Sequence, residues 1–398
     1  MTDKKISLIS RSGLVLLRRL AALIVCSGMA LGGWPAKAVP GIETQASHLL
    51  LIDHDTGTVL AEKRADEPMP PASMSKLMTI AMVFDRLRDG SLKMDDKFPV
   101  SAKAWRKGGS KMFVEVDKFV SVSDLLRGII VQSGNDACIV VAEGLGGSES
   151  AFATLMNEQA ALFGLANSSF ANATGWPDPG QRMSARDLAT LASIMVREYS
   201  DYYSIFAETE FTFSNIRQPN RNPLLGRVDG ADGLKTGHTE ESGYGLTASA
   251  IRDGRRLVLV ANGLDSQKQR ATESARVLEW GFREFANYRM WEDGQIMGDA
   301  DVWLGAENVV PLVVDKALTI TLPRRARRNM TVTMRYTGPI PAPIRQGQKL
   351  AELEISSKDG LIDPITVPLM AAKDVDQLGG LGRLSAGFNY LLWGNVGR

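Results

Sequence analysis

Hydrophobic residues recur every three or four positions after residue 73 and predict an amphipathic helix over about 74–88. The apolar face of this predicted helix comprises Leu77, Ile80, Ala81, Phe84 and Leu87. Lys76 falls on the same face, one turn after Ser73. An ammonium group facing the core is costly unless it loses its proton or finds partners, so the pattern indicates a special role for this lysine. The simpler alternative is a lysine at the edge of the apolar face whose amine reaches water.

Two apolar stretches, one before the predicted helix and one far after it, predict strands. Residues 48–63 are predicted to form two strands around a turn, and residues 243–263 a hairpin that turns at Asp253 and Gly254. Helical patterns fill the sequence between them. This order predicts an α+β fold, an antiparallel sheet flanked by helices, in a domain that we place at residues 39–295.

From about residue 301 the pattern changes to short β-like runs separated by turn residues. Among these runs are VWLGAENVVPLVV, ALTITLP, MTVTMRYTG and KLAELEIS. Several short strands with turns between them are typical of a sandwich or barrel. The sequence therefore predicts a second, small all-β domain, a β-sandwich, at residues 300–372.

The N-terminus has the pattern of an export signal. Its basic residues are Lys4, Lys5, Arg11, Arg18 and Arg19. An apolar stretch at 20–31 follows, and AKA at 36–38 fits a cleavage site. The apolar stretch is short for a bilayer-spanning anchor, which is the less favoured alternative. We predict a signal peptide at 1–38 and an exported mature chain that begins near Val39.

The C-terminal tail predicts an amphipathic helix at 376–398. Its apolar positions are Leu378, Leu381, Leu384, Phe388, Leu391 and Leu392. With Trp393 and arginines at both ends, this pattern suits a helix that lies in a membrane interface. The alternative is a helix docked on the surface of the protein itself.

Composition excludes several classes of function. The chain has 398 residues and a formal net charge of +1, so bulk charge does not favour nucleic acid as a partner. Its three histidines lack metal-ligand spacing, no HExxH or CxxC motif occurs, and we expect no metal or cofactor. Signal removal leaves Cys138 as the only cysteine, in an apolar helical stretch. This residue is predicted to be a small core residue without a disulfide partner.

Three short motifs combine residue types that serine acylation requires. They are Ser73-x-x-Lys76, Ser133-Gly134-Asn135 and Lys235-Thr236-Gly237, the last followed by His238. Positions i and i+3 of a helix face the same way, so the Lys76 amine can reach the Ser73 hydroxyl. A neutral amine can accept the serine proton, and crowding by Lys235 together with burial is expected to favour that neutral form. No acid partner is evident that would make His238 the base instead.

With these motifs the chain resembles D-alanyl-D-alanine carboxypeptidases, the low-molecular-mass penicillin-binding proteins of serine peptidase family S11. The resemblance covers nearly the whole chain. It is carried by PASMSKLMT, VQSGNDACIVVAE, FANATGWPDPGQRMSARDLATLA, GLKTGHTEESGYGLTASA, APIRQGQKLAEL and the tail. It implies removal of the terminal D-alanine from peptidoglycan pentapeptides, acylation by β-lactams, and a periplasmic location on the cytoplasmic membrane surface.

The resemblance also implies the catalytic residues. Ser73 would be the nucleophile that is acylated, with Lys76 as its base. Ser133, together with Lys235, would pass the proton to the leaving D-alanine. Gly237 completes the third motif on the substrate-binding side.

Substrate-binding residues follow from the same resemblance. Asn135 would hold the peptide amide, and the backbone N–H groups of Ser73 and His238 would form the oxyanion hole. Thr236 and an arginine after the hairpin would bind the terminal carboxylate. Arg270 is our match for that arginine, with Arg276 close by in the sequence.

Other functions use the same motifs. A class A β-lactamase adds a glutamate in an E-x-x-x-N pattern, and none occurs between Asn135 and Lys235. A D,D-endopeptidase that cuts peptide cross-links remains open. A non-enzymatic cell-wall binding protein is the third alternative, although such a protein would not need an inward-facing lysine.

Overall fold

The computed structural model describes residues 2–8, 41–382 and 384. The chain divides into two compact units, one of Ile42–Arg283 and one that combines Met1–Gly41 with Glu284–Arg398. The domain limits given above remain predictions. Within the described ranges, none of the helices combines the length and the apolar character that crossing a bilayer requires.

The first strand of the chain, β1 (Thr2–Leu8), belongs to the unit that holds both chain ends. The strands of the other unit are β2 (His48–Asp53), β3 (Val59–Lys63), β4 (Lys97–Pro99), β5 (Phe119–Ser121), β6 (Glu210–Phe213), β7 (Ile216–Pro219), β8 (Ala231–Thr239), β9 (Gly243–Arg252) and β10 (Arg255–Leu264). Its helices are α1 (Lys76–Arg88), α2 (Ala102–Arg106), α3 (Val122–Ile130), α4 (Asn135–Gly146), α5 (Glu149–Leu162), α6 (Ala185–Glu198), α7 (Ser200–Tyr203) and α8 (Gln267–Glu284).

An antiparallel sheet in the order β3-β2-β10-β9-β8 forms the centre of this unit. Alternate residues of a strand point to opposite faces, so each strand buries two rows of side chains. Leu50 and Val258 belong to the helical core that includes α1. Leu51 and Leu257 lie on the other face, where Gly281 lets α8 approach closely. The predicted sheet with helices around it is therefore present, and the predicted hairpin turns where expected.

Helix α1 is the central helix of the core. Its residues from Lys76 to Phe84 are all buried, so the helix is enclosed up to its last turn, where Arg86 and Arg88 are exposed. The chain enters it through a 3-10 helix, Ala72–Ser75, and α1 begins at Lys76 rather than near residue 74 as predicted. The tighter turn follows Pro70 and Pro71, and β8 confines it on one side.

The second unit is built from β-strands, as the sequence predicts. After β1 these strands are β11 (Phe285–Trp291), β12 (Ile296–Trp303), β13 (Val309–Val314), β14 (Leu318–Pro323), β15 (Met330–Gly338), β16 (Ile340–Pro341), β17 (Lys349–Ser357) and β18 (Ile365–Ala371). One sheet has the order β1-β15-β17-β18-β13-β12-β16, and β11 pairs with β14. Alternating residues such as Leu312, Leu353 and Leu369 form a separate hydrophobic core.

The signal peptide and the C-terminal helix were predicted at the two chain ends, and the described residues include only a small part of each. Residues 2–8 of the predicted signal peptide form β1, which pairs with β15. This pairing is possible because the open edge of a strand offers backbone hydrogen-bonding groups to any extended segment. Residues 9–40, with the apolar stretch and cleavage site, lie outside the described residues. So do residue 383 and residues 385–398 of the predicted C-terminal helix. Gln377, inside that predicted helix, instead forms a bridge to Gly305.

Candidate active site

The turn that carries Ser73 is held by two glycines from other segments. A Cβ atom on Gly175 would lie 2.0 Å from the carbonyl oxygen of Ala72, and one on Gly237 would lie 2.8 Å from that of Pro71. Gly175 also has a φ of +74°, which favours glycine. The third motif therefore needs its glycine so that β8 can pack directly against the serine turn.

Gly237→Ala is expected to destabilise the protein by about 1–3 kcal/mol, because the new methyl group must displace the backbone of the serine turn. The displaced Ser73 should also react more slowly with benzylpenicillin. Thermal unfolding and acylation rates would measure the two effects. Gly379→Ala is the control, since open space surrounds that glycine. Equal stability of the two variants would contradict this account.

Lys76 is fully buried beside the serine hydroxyl. Its Nζ lies 2.7 Å from Ser73 Oγ, 2.8 Å from Asn135 Oδ1 and 2.5 Å from the carbonyl oxygen of Thr174. The amide and carbonyl oxygens can only accept hydrogen bonds, whereas the hydroxyl can also donate one. A neutral amine has two N–H groups and one lone pair. Once neutral, Lys76 can donate to the two oxygens and turn its lone pair toward the Ser73 proton.

Burial is the main reason why Lys76 loses its proton easily. It lowers the pKa of Lys76 to about 8, with the charges of Arg221 and Lys107 acting in the same direction. Burial is one of the two causes that the sequence predicts, and the other, crowding between Lys76 and Lys235, is present as well. Lys235 is itself buried, and burial, followed by the charge of Lys76, holds the pKa of Lys235 well below its ordinary value.

We expect the acylation rate to rise with pH and to level off above about pH 8. Below its pKa of about 8, the neutral fraction of Lys76 falls about tenfold per pH unit, and a step that needs the free amine slows equally. Rates of acylation by benzylpenicillin across the neutral and alkaline range would measure this. His238→Asn should keep the same profile. A flat profile would exclude Lys76 as the base.

The second motif lies in the break between α3 and α4, as predicted. Ser133 has a φ of +64°, is buried, and its Oγ has no hydrogen-bond partner in the described part of the chain. Asn135 opens α4, accepts the bond from Lys76 and donates from Nδ2 to the carbonyl oxygen of Gly108 at 2.9 Å. One N–H of the Asn135 amide therefore remains for another acceptor.

The third motif lies on β8, next to β9. The Lys235 amine donates to the carbonyl oxygen of Thr236 at 3.1 Å. His238 follows at the exposed end of the motif, and its ring stacks on Tyr244 with 3.8 Å between centroids. The structure thus brings residues of all three motifs to one place around Ser73.

A cavity of about 870 Å³ opens at the motif residues around Ser73. Ser73, Ser133, Thr236, His238 and Arg270 are among its lining residues. Burial lowers the pKa of Arg270 to about 10, and its Nε has no hydrogen-bond partner among the described residues. Arg276, the other candidate from the sequence, instead pairs with Glu273 at 2.7 Å and does not line this cavity.

Comparison with known proteins identifies the family. Residues 35–266 match the family described as D-alanyl-D-alanine carboxypeptidase, peptidase S11, and residues 285–377 match the C-terminal domain of penicillin-binding protein 5. D-alanyl-D-alanine carboxypeptidase DacC of Escherichia coli (strain K12) is 36% identical over 381 residues, 93% of this chain and 94% of the relative. The chain belongs to the D-alanyl-D-alanine carboxypeptidase family.

Solved structures of penicillin-binding proteins have the same fold. Penicillin-binding protein 5 from Haemophilus influenzae is 33% identical, with a TM-score of 0.75 over 85% of this chain and 100% of that one. Penicillin-binding protein D2 from Listeria monocytogenes, in an ampicillin-bound form, is 28% identical, with a TM-score of 0.56 over 61% of this chain and 99% of that one. The predicted family, α+β fold class and serine carboxypeptidase class are confirmed.

One arginine that lines the cavity at Ser73 was missed by the sequence analysis. Arg221 lines the same cavity as Arg270, and its guanidinium donates to Ser110 Oγ at 2.6 Å. Partial burial lowers the pKa of Arg221, although the side chain still reaches solvent. It lies in a loop after β7, far along the sequence from every motif, so no spacing pattern could single it out.

A buried carboxylate, also missed, fixes the loop that borders the site. Asp136 accepts hydrogen bonds from the backbone N–H groups of Met112, Phe113 and Val114 at 2.9, 2.9 and 3.2 Å. The same loop supplies Gly108, whose carbonyl oxygen binds Asn135. Asp136 is thus a positioning residue that holds the loop against α4.

Cys138 is fully buried on α4, as predicted for a core residue. Burial raises the pKa of its thiol to about 12, so the thiolate is scarce at neutral pH. Within the described ranges, no group of three or more His, Cys, Asp or Glu side chains is arranged to hold a metal ion.

Proposed function

We propose that this family member removes the terminal D-alanine of peptidoglycan pentapeptides through an acyl-enzyme on Ser73. One observation carries the assignment of roles. Lys76 has two partners that can only accept hydrogen bonds, which leaves its third position for the Ser73 hydroxyl. A neutral Lys76 in this setting is a base already aimed at the serine proton.

In the acylation step, Ser73 Oγ attacks the carbonyl carbon between the two D-alanines and its proton moves to Lys76. The backbone N–H groups of Ser73 and His238 stabilise the oxyanion that forms. When the C–N bond breaks, Ser133 Oγ delivers a proton to the departing amine and takes in exchange the proton that Lys76 received from Ser73, so that Lys76 is neutral again. The unpartnered, buried hydroxyl of Ser133 supports this role, and Lys235 lies close enough to Lys76 for their charges to interact. Water then attacks the ester and gives its proton to the neutral Lys76, which passes it to Ser73 Oγ as the ester bond breaks and the shortened peptide leaves.

Recognition of a chain end explains why the protein would act as a carboxypeptidase. Arg270 and Arg221 line the cavity together with Thr236, so a free carboxylate would meet two guanidinium groups and a hydroxyl. Asn135 would bind the peptide amide on the other side of Ser73 with its remaining N–H. Matches to curated carboxypeptidases make the endopeptidase the less favoured alternative.

β-Lactams are proposed to acylate Ser73 by the same route. An ampicillin-bound structure of a Listeria monocytogenes relative supports this partner. Matches to curated carboxypeptidases, together with the missing E-x-x-x-N pattern, make a β-lactamase less favoured.

We further propose export to the periplasm, with the C-terminal helix on the outer face of the cytoplasmic membrane. The side chains of Leu381 and Leu384 are 87% and 73% exposed, as expected for an apolar face without a partner. Binding to anionic vesicles by the protein and by a form that ends at Asp376 would test the anchor. Equal binding by both would contradict it.

D-Alanine release from a pentapeptide that ends in D-Ala-D-Ala tests the main proposal. The parent should release D-alanine and be labelled by a fluorescent penicillin, whereas Ser73→Ala should do neither. A cross-linked dimer peptide, assayed in parallel, should be cut far more slowly. Cleavage of the dimer without release from the pentapeptide would favour the endopeptidase, and the absence of both activities and of labelling would favour a binding protein.

A further inference from the structure

A second cavity, of about 680 Å³, meets the first one at Ser73. It shares Ser73, Ser110 and His238 with the first cavity, but the charged residues that line the two cavities are opposite in sign. The first cavity is lined by the cations Arg221, Arg270 and Lys268. The second is lined by Glu240 and Glu241, with the indole of Trp176 beside them. The two cavities on either side of Ser73 therefore favour substrate groups of opposite charge.

Only part of the negative charge of the second cavity is already compensated. Glu241 pairs with Arg182 at 3.1 Å. Lys107 lies over the Trp176 ring, with its Nζ 4.8 Å from the centroid. Glu240 is exposed, and within residues 41–382 it forms no ion pair. Glu240 is thus available to a cation that enters beside Trp176.

The proposed reaction fixes which part of the substrate lies here. If the departing D-alanine carboxylate occupies the cationic cavity, the residue that precedes the two D-alanines must extend to the other side of Ser73. An indole face packs well against a chain of methylene groups, and it also attracts a cation. A long side chain that ends in an ammonium group would contact Trp176 along its length and reach Glu240 with its charge.

We propose that this second cavity is a subsite for a substrate side chain that ends in an ammonium group, with Trp176 as its wall and Glu240 as its counter-ion. The inference rests on the proposed carboxypeptidase activity and adds the substrate class. The subsite gives selectivity for the residue before D-Ala-D-Ala, and takes no part in bond breaking.

Two peptides that end in D-Ala-D-Ala and differ only in the preceding residue, lysine or norleucine, would test the subsite. Norleucine has a similar apolar chain and lacks the ammonium. We expect kcat/KM to be about three- to tenfold higher for the lysine peptide. Glu240→Gln should remove this preference by lowering the value for the lysine peptide alone. Acylation by benzylpenicillin, which has no such side chain, should not change.

Matched variants control for net charge. Glu158→Gln makes the same change on the exposed surface of α5, outside both cavities, and should keep the full preference. Glu241→Gln should have the smaller effect, because Arg182 already compensates that carboxylate. Trp176→Ala should lower kcat/KM for both peptides, since the wall serves both side chains.

The outcomes separate the subsite from the activity. Equal kcat/KM for the two peptides in the parent, or a lysine preference that survives Glu240→Gln, would overturn the subsite and leave the carboxypeptidase intact. A loss in Glu240→Gln that is equal for both peptides would assign Glu240 a structural role and would also overturn it. Failure to release D-alanine from either peptide would overturn the proposed function itself.

Discussion

Lys76→Met is expected to lower the rate of D-alanine release by about 10³-fold. Methionine has a similar length and cannot accept the proton of Ser73, so the nucleophile stays a neutral hydroxyl. Lys76 is fully buried, so its amine is shielded from bulk water that could act as a base in its place. Steady-state D-alanine release and the rate of acylation by benzylpenicillin would measure the loss, and both should fall together because both need the same base.

Two further variants show that the loss concerns proton transfer. Lys76→Arg keeps a positive charge that does not deprotonate, and it should be as inactive as the methionine variant. Ser73→Ala combined with Lys76→Met should be no worse than Ser73→Ala alone, since the two residues act as one unit. Near-parental activity of either Lys76 variant in a folded protein would exclude this lysine as the base.

Asp136→Asn is expected to lower the free energy of unfolding by about 3–5 kcal/mol. The buried carboxylate accepts three backbone hydrogen bonds from the loop at 112–114, and an amide in its place would turn an NH₂ group toward backbone donors. The loosened loop would release Asn135 from Gly108. Denaturant unfolding should detect the lost stability, and acylation by benzylpenicillin should slow as well.

Asp89→Asn is the matched control for this prediction. Asp89 is exposed just after α1 and accepts one backbone hydrogen bond, from Ser91 at 2.8 Å. The same chemical change there should cost less than about 1 kcal/mol, because water replaces the lost bond. If the two variants were equally stable, the loop would not depend on Asp136.

Local patterns predicted much of the fold because each depends on neighbouring residues in the sequence. The hairpin of β9 and β10 follows from alternating apolar residues around Asp253 and Gly254. The inward position of Lys76 follows from helical spacing, and its hydrogen bond to Ser73 agrees with the i, i+3 argument. The small all-β unit follows from its short runs of alternating residues.

Features that depend on distant segments could not be predicted in the same way. Arg221 and Trp176 reach the site from loops that no motif marks. Burial of Lys76 was predicted, but the charges of Arg221 and Lys107, which also lower its pKa, come from distant parts of the sequence. Asp136 stands next to a predicted motif residue, but only the folded loop reveals its three backbone donors.

The burial of Cys138 has a practical consequence. Between residue 39 and the C-terminus it is the only cysteine, and it lies in the first turn of the helix that Asn135 begins. A thiol reagent can reach it only when this helix separates from its neighbours, so the labelling rate in native buffer reports how often the core opens. A substrate or inhibitor that rigidifies the site should slow that labelling. In the predicted mature chain, Cys138 is thus a single-site probe of local opening in the core next to the active site.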